Sequence, residues 1–207
     1  MIKGVIIDWN GVCTSEPWRN IVLRDIEAKT GIPAGDVELC YKKFIQDYFI
    51  DKITGKQFIK KLIKELGRDD YKDFNYLINK QADVSWDVLN LILGLKESGY
   101  VTAVFSDSFN EAYENYNKEI GGMDKYFGTN IFLSHQEKTH KNDERFYKKM
   151  VDVLGLPTEQ LVFIDDWPEN FDSAKKLGID CIKFKNYEDL LQELKTRGVN
   201  IIIPKEL

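Results

Sequence analysis

Paired cysteines are missing: Cys13, Cys40 and Cys181 are far apart, and no two of them form a Cys-x-x-Cys pair. A disulfide framework and a zinc site both need such pairing, so reduced thiols are expected. Long apolar runs are missing too. No stretch approaches the roughly 20 residues needed to span a bilayer, which argues against a membrane partner. Met1 leads directly into a strand-like segment, without the basic, apolar and small-residue succession of a secretion signal. A cytoplasmic location is the expectation. There is also no basic excess, since 29 Lys and Arg stand against 34 Asp and Glu, for a formal net charge of -5. Nucleic-acid affinity rests largely on clustered cations that release counterions, so no nucleic-acid partner is expected.

Repeats and low-complexity tracts are likewise absent. What remains is an ordinary globular composition, 43% hydrophobic and 30% charged. Its 207 residues are enough for one good core, or a core with a small accessory domain.

Two apolar runs organise the chain. Lys3-Gly4-Val5-Ile6-Ile7 ends in Asp8-Trp9-Asn10-Gly11-Val12, and Leu161-Val162-Phe163-Ile164 ends in Asp165-Asp166. Continuous β-branched and apolar runs of this length read as strands buried on both faces. Each delivers carboxylates to the C-terminal edge of a parallel sheet, where α/β proteins bind their ligands.

From Pro17 to about Gln81 the pattern is helical. One helix follows Pro17 and stops at Gly31-Ile32-Pro33, a second starts near Asp36, and Thr54 with Gln57 reads as a capping box opening a third. A fourth is expected over about 70–80. Four helices without an intervening strand depart from simple alternation and read as a helical cap inserted in the core. Alternation then resumes behind Ser85, a candidate N-cap. Strands are expected at 101–105, 130–134, 161–164 and 180–184, with helices at 109–119, 142–154, 168–177 and 187–197. An edge strand is possible over 199–203. The expected fold is α/β: a doubly wound, Rossmann-like parallel sheet formed by residues 1–15 and 84–207, with an all-helical cap over 16–83.

Asp8-x-Asn10-Gly11-Val12 resembles the first motif of the haloacid dehalogenase-like (HAD) hydrolases, usually Asp-x-Asp-Gly-Thr or Val. The resemblance continues in order through Ser106 at the end of Val101-Thr102-Ala103-Val104-Phe105, Lys141 ahead of Asn142-Asp143-Glu144, and Ile164-Asp165-Asp166. It implies that Asp8 is the nucleophile, becoming an aspartyl-phosphate, and that Ser106 and Lys141 hold the phosphoryl oxygens. Lys138 competes with Lys141, but the helix start after Lys141 favours the latter. Mg²⁺ is the implied cofactor, held by Asp8, the Asn10 carbonyl, Asp165 and Asp166, a set of hard oxygen ligands suited to it. A small phosphorylated metabolite is the implied substrate, with Asn170 orienting Asp166 from behind; Asp107, and Trp18 and Arg19 where the first motif leads into the cap, are candidate binding residues, an ordinary surface ion pair being the equal alternative for Arg19.

Asn10 departs from the family pattern. Its carbonyl keeps the metal contact, but an amide has no proton to exchange near neutral pH and cannot protonate a leaving group or activate water. Three readings follow: a phosphatase or phosphotransferase for substrates with good leaving groups, such as acyl or aryl phosphates; an impaired binding module for a phosphorylated ligand or protein partner; and a metal-free dehalogenase, against which Asp165 and Asp166 speak. Trp9, between the first-motif positions, and Trp167, after the fourth motif, either border the site or, the favoured role, pack as interior aromatics; the cap residues Tyr41, Phe44, Tyr48 and Phe49 are expected as helix core rather than a ligand box. His135 and His140 are expected to face solvent, and Cys13 to be a buried thiol.

Overall fold

The computed structural model describes residues 1–201. Five parallel strands, β1 Gly4–Ile7, β2 Val101–Ser106, β3 Ile131–Leu133, β4 Leu161–Asp165 and β5 Asp180–Lys183, stand in the order β3-β2-β1-β4-β5. The α-helices, in chain order, are α1 Trp18–Thr30, α2 Ala34–Phe49, α3 Gly55–Glu65, α4 Trp86–Glu97, α5 Asn110–Glu119, α6 Asp124–Phe127, α7 Ser134–Glu137, α8 Glu144–Leu154, α9 Phe171–Lys176 and α10 Tyr187–Thr196.

Alternation along the strands sends side chains to two apolar layers. Val5, Ile7, Val104, Val162 and Ile164 join α4 and α10 in one, through Val88, Leu91, Leu190 and Leu194. Ile6, Ala103, Phe105 and Phe163 join α8 and α9 in the other, through Phe146, Met150 and Ala174. Because both faces are covered, β1, β2 and β4 are apolar except for Thr102 until their C-terminal ends, where Ser106 and Asp165 stand.

Between β1 and α4 the chain forms α1, α2, α3 and a 3₁₀ segment, Tyr71–Asn79. It leaves and returns as an antiparallel pair, with Thr14 bridged to Val84, the Ser15 N–H donating to the Asp83 carbonyl (2.8 Å) and the Ser85 N–H to the Cys13 carbonyl (2.9 Å). The capping box opens α3 as expected, Thr54 and Gln57 exchanging reciprocal bonds. Inside the insertion Trp18, Tyr41, Tyr48 and Phe58 pack together. Phe109, from the loop after β2, stacks into them at 4.7 Å from Trp18 and 4.6 Å from Tyr48. The inserted helices therefore share one apolar cluster with the sheet's first face.

Several expectations shift. The fourth inserted helix is the 3₁₀ segment: Phe74, Leu77 and Ile78 are buried, while Asp73, Asn75 and Asn79 are poor helix formers that favour a short, tight turn. Ser85 precedes α4 without a side-chain cap, and α8 starts at Glu144 because Asp143 caps it, accepting from the Arg145 N–H. The expected 168–177 helix is a 3₁₀ turn, Pro168–Asn170, followed by α9. The strand at 130–134 stops at Leu133, where Ser134 begins α7. Residues 199–201 form no strand, and 202–203 lie outside the described residues.

Candidate active site

Sheet register builds the site. Ile7 stands opposite Val104 and Ile164, and the Asp8 N–H donates to the Ile164 carbonyl (2.9 Å). Asp8 thus arrives level with the end of β4, beside Asp165. The chain must then turn at once to reach the insertion. Residues Trp9–Cys13 wind into a wide turn interrupted at Asn10 (φ -74°, ψ 120°) and Gly11 (φ 80°). A Cβ on Gly11 would lie 2.6 Å from Asp166 Oδ2, so glycine meets both a left-handed backbone and a close carboxylate. Thr14 Oγ1 fixes the turn, accepting from the Gly11 N–H at 2.9 Å.

Lys141 sits at the centre, 1% exposed. Its Nζ lies 2.7 Å from Asp8 Oδ1 and 2.7 Å from Asp165 Oδ2. Its backbone N–H donates to Asp107 Oδ1 (3.1 Å). Asp165 is fully buried and held on both oxygens, accepting from the Trp167 N–H at Oδ1 (2.8 Å) and from Asn170 Nδ2 at Oδ2 (2.9 Å). Burial works against the Lys141 charge, yet Asp165, Asp8 and Asp107 together hold the ammonium above the ordinary lysine range. Burial likewise raises the Asp8 carboxyl, Lys141 pulling it back while Asp165 and Asp166 push further. Asp166 is raised to about 6, chiefly by burial and then by Asp165.

The donor set fits a divalent cation. Carboxylate oxygens of Asp8, Asp165 and Asp166 lie within 4.8 Å of one another. With Asp107 they make four carboxylates facing a single buried ammonium, an excess of negative charge that a hard cation with oxygen ligands would neutralise.

A cavity of about 240 Å³ opens over this cluster. Asp8, Asn10, Asp107, Lys141 and Asp166 form its charged end, and α1 and α2 supply the other, with Trp18, Arg19, Tyr41 and Phe49. Asn10 points across the charged end, its Nδ2 donating to the Asp107 carbonyl (3.1 Å). Ser106 is fully buried at the end of β2, and Asp107 rather than Ser106 borders the cavity. Trp18 is cap interior with one side on the cavity, its Nε1 donating to the Leu77 carbonyl (3.0 Å). Arg19 lies 3.5 Å from Glu38 and stacks over Trp167, 4.5 Å from the ring centre. Lys138 lies outside the cluster, paired with Asp51.

Other residues sit elsewhere than the sequence implied. Asn170 holds Asp165, not Asp166, because the 3₁₀ turn at Pro168–Asn170 brings its amide back to the end of β4. Of the two roles open to the motif tryptophans, Trp167 takes the bordering one, 38% exposed and lining the cavity, and Trp9 the packed one, buried against Tyr116. Tyr41 and Phe49 belong both to the apolar cluster and to the cavity wall. His135, expected in solvent, is buried beneath Tyr113 by the short turn of α7, and that burial lowers its basicity. Phe109 was missed, since an aromatic two residues beyond a strand carries no sign that it will reach into the insertion.

A family model described as "haloacid dehalogenase-like hydrolase" matches residues 2–178. The chain is 35% identical over 65 residues to Flavin mononucleotide hydrolase 1 of Arabidopsis thaliana, which covers 31% of this chain and 26% of that one. It is 28% identical over 116 residues to the Putative pyrophosphatase PpaX of Caldanaerobacter subterraneus subsp. tengcongensis, covering 56% of this chain and 52% of that one. The chain therefore spans about a quarter and about half the length of these two relatives. Among solved structures, a HAD family enzyme of Bacteroides thetaiotaomicron in complex with magnesium and inorganic phosphate aligns with TM-score 0.65 and 21% identity, over 92% of this chain and 99% of that one.

Proposed function

The chain belongs to the haloacid dehalogenase-like hydrolases, and on that premise we propose that it is a Mg²⁺-dependent phosphatase or phosphotransferase acting on a small phosphorylated metabolite through an aspartyl-phosphate on Asp8. The observation that carries this reading is the buried Lys141 ammonium held 2.7 Å from both Asp8 and Asp165. Phosphoryl transfer needs positioning and charge neutralisation more than covalent chemistry from the protein. Here a carboxylate, a cation and further carboxylates converge at one end of an open cavity.

In this reading Asp8 attacks phosphorus while Lys141 neutralises the transferring oxygens. Asp8, the Asn10 carbonyl, Asp165 and Asp166 hold the magnesium ion, which when bound neutralises phosphoryl charge. Asn170 keeps Asp165 in place. Residues 16–83 act as the cap, contributing Trp18 and Arg19 to the substrate site. The relatives named for flavin mononucleotide and pyrophosphate support a phosphorylated substrate, and the magnesium and phosphate complex of a protein with this fold supports the cofactor. No helix among the described residues is long and apolar enough to cross a membrane, and we place the protein in the cytoplasm.

Asn10 favours one second reading, a binding module that keeps ligand and metal but has lost turnover. Acetyl phosphate with Mg²⁺ separates the two, because its leaving group needs little protonation. The phosphatase reading expects turnover by the wild type and none by Asp8→Ala. Equal rates in both, or none in either, would support the binding module.

A further inference from the structure

The cavity's two ends differ in a way that bears on the substrate. Its floor is ionic, whereas its upper wall carries Trp18, Tyr41, Ile45, Phe49 and Phe109, with Trp167 at the mouth. Five of these six side chains are aromatic. Trp167 is the one left 38% exposed, with the Arg19 guanidinium stacked 4.5 Å from its ring centre. The volume, about 240 Å³, lies below the roughly 300–1,000 Å³ typical of pockets for larger ligands. A phosphate carrying a single ring is of the size that such a space holds.

Asn10 imposes an independent restriction. Its amide is engaged with the Asp107 carbonyl and cannot deliver a proton. Without a proton from that position, a leaving oxygen that carries its own charge well is favoured. An alkoxide is a poor candidate, whereas a phenolate, whose parent acid ionises near pH 10 as tyrosine does, departs more readily. Small acyl phosphates meet this restriction but leave the aromatic wall without a partner. Alkyl phosphates fail it.

We propose that the substrate is an aryl phosphate monoester whose ring is held by the Trp167, Phe49 and Phe109 wall while its phosphate lies against Asp8 and Lys141. This rests on the phosphatase reading and names its substrate class. In the first step an Asp8 oxygen forms a bond to phosphorus as the phosphorus–aryl oxygen bond breaks. The electron pair leaves on the phenolate, which takes its proton from solvent. In the second, water attacks phosphorus and gives a proton to solvent, the bond to Asp8 breaks and restores the carboxylate, and inorganic phosphate carries off the oxygen of that water.

The test compares phenyl phosphates of graded ring acidity, acetyl phosphate and glycerol phosphate, each with Mg²⁺, in the wild type, Trp167→Ala and Asp8→Ala. Binding of phenylphosphonate against methylphosphonate, read by calorimetry, gives a measure separate from turnover. The wild type should prefer aryl over acetyl phosphate in kcat/KM, with rates falling steeply as the phenol becomes less acidic. Trp167→Ala should lower the aryl-to-acetyl ratio by about threefold to tenfold, as expected for loss of one aromatic contact. Phenylphosphonate should bind more tightly than methylphosphonate, and Trp167→Ala should narrow the gap. If acetyl phosphate is turned over through Asp8 but aryl phosphates are not preferred, or Trp167→Ala leaves both ratios unchanged, the aryl assignment is wrong and the phosphatase reading survives. If no substrate shows turnover dependent on Asp8, both fall.

Discussion

The side-chain amide of Asn10 donates to the backbone carbonyl of Asp107 at 3.1 Å, tying the turn after β1 to the end of β2. The position where the family usually carries a proton-transfer group is thus a strut between two segments of the site. An aspartate in the same place would face that carbonyl as a second acceptor, and the contact would be relieved by a proton on the carboxyl. That is the state a general acid requires. Asn10→Asp should therefore raise kcat for alkyl phosphates by about 10²-fold or more, with a much smaller effect on acetyl phosphate. Steady-state rates for the two substrate types check this, and equal effects on both would mean that the missing proton is not what limits the enzyme.

Lys141 is the only cation in contact with Asp8 and Asp165 among the described residues. Replacing it by methionine leaves two carboxylates facing each other in a buried site. Breaking a buried ion pair on one side costs about 3–5 kcal/mol, so Lys141→Met should unfold at a markedly lower temperature than the wild type. Added Mg²⁺ should restore part of that loss, because a divalent ion supplies the missing positive charge. Thermal unfolding with and without Mg²⁺ reads both effects.

The raised Asp166 carboxyl gives the metal site a pH dependence. Burial and Asp165 lift it to about 6, so it is protonated below that pH and ionised above it. Metal ligands must be deprotonated, and Mg²⁺ affinity should therefore rise with pH, being about tenfold weaker at pH 5 than at pH 7 from this group alone. The sign for stability runs the other way. The folded state holds the Asp166 proton more tightly than the unfolded chain does, so the metal-free protein loses stability from this group as pH rises from about 4 through 6. Calorimetric titration with Mg²⁺ at several pH values measures the first effect, and metal-free unfolding over the same range the second.

Strand ends were legible in the sequence and neighbours across the fold were not. β1 and β4 could be read because strands of a doubly covered parallel sheet are apolar throughout, so the first acid after each run stands out. Asp8, Asp165 and Lys141 come together because β1 and β4 pair in register and Lys141 lies just ahead of α8. Asn170 was readable as a polar residue near β4, but which carboxylate it holds depends on a 3₁₀ turn in place of an α-helix. Trp167 could be read either as a packed aromatic or as a border of the site. Its contact with Arg19 from α1 spans most of the chain, and no local pattern encodes it. His135 shows the same limit, since a polar residue in a loop-like stretch is drawn inside by a four-residue helix.

The central claim, that Asp8 carries the phosphoryl group, is tested most directly by intact-mass analysis of protein quenched during turnover of acetyl phosphate with Mg²⁺, followed by mapping of the modified residue. Because Asn10 cannot activate water, the intermediate should accumulate: one phosphoryl group on Asp8 in the wild type and none in Asp8→Ala. Turnover without an adduct on Asp8, or the same adduct in Asp8→Ala, would contradict the account.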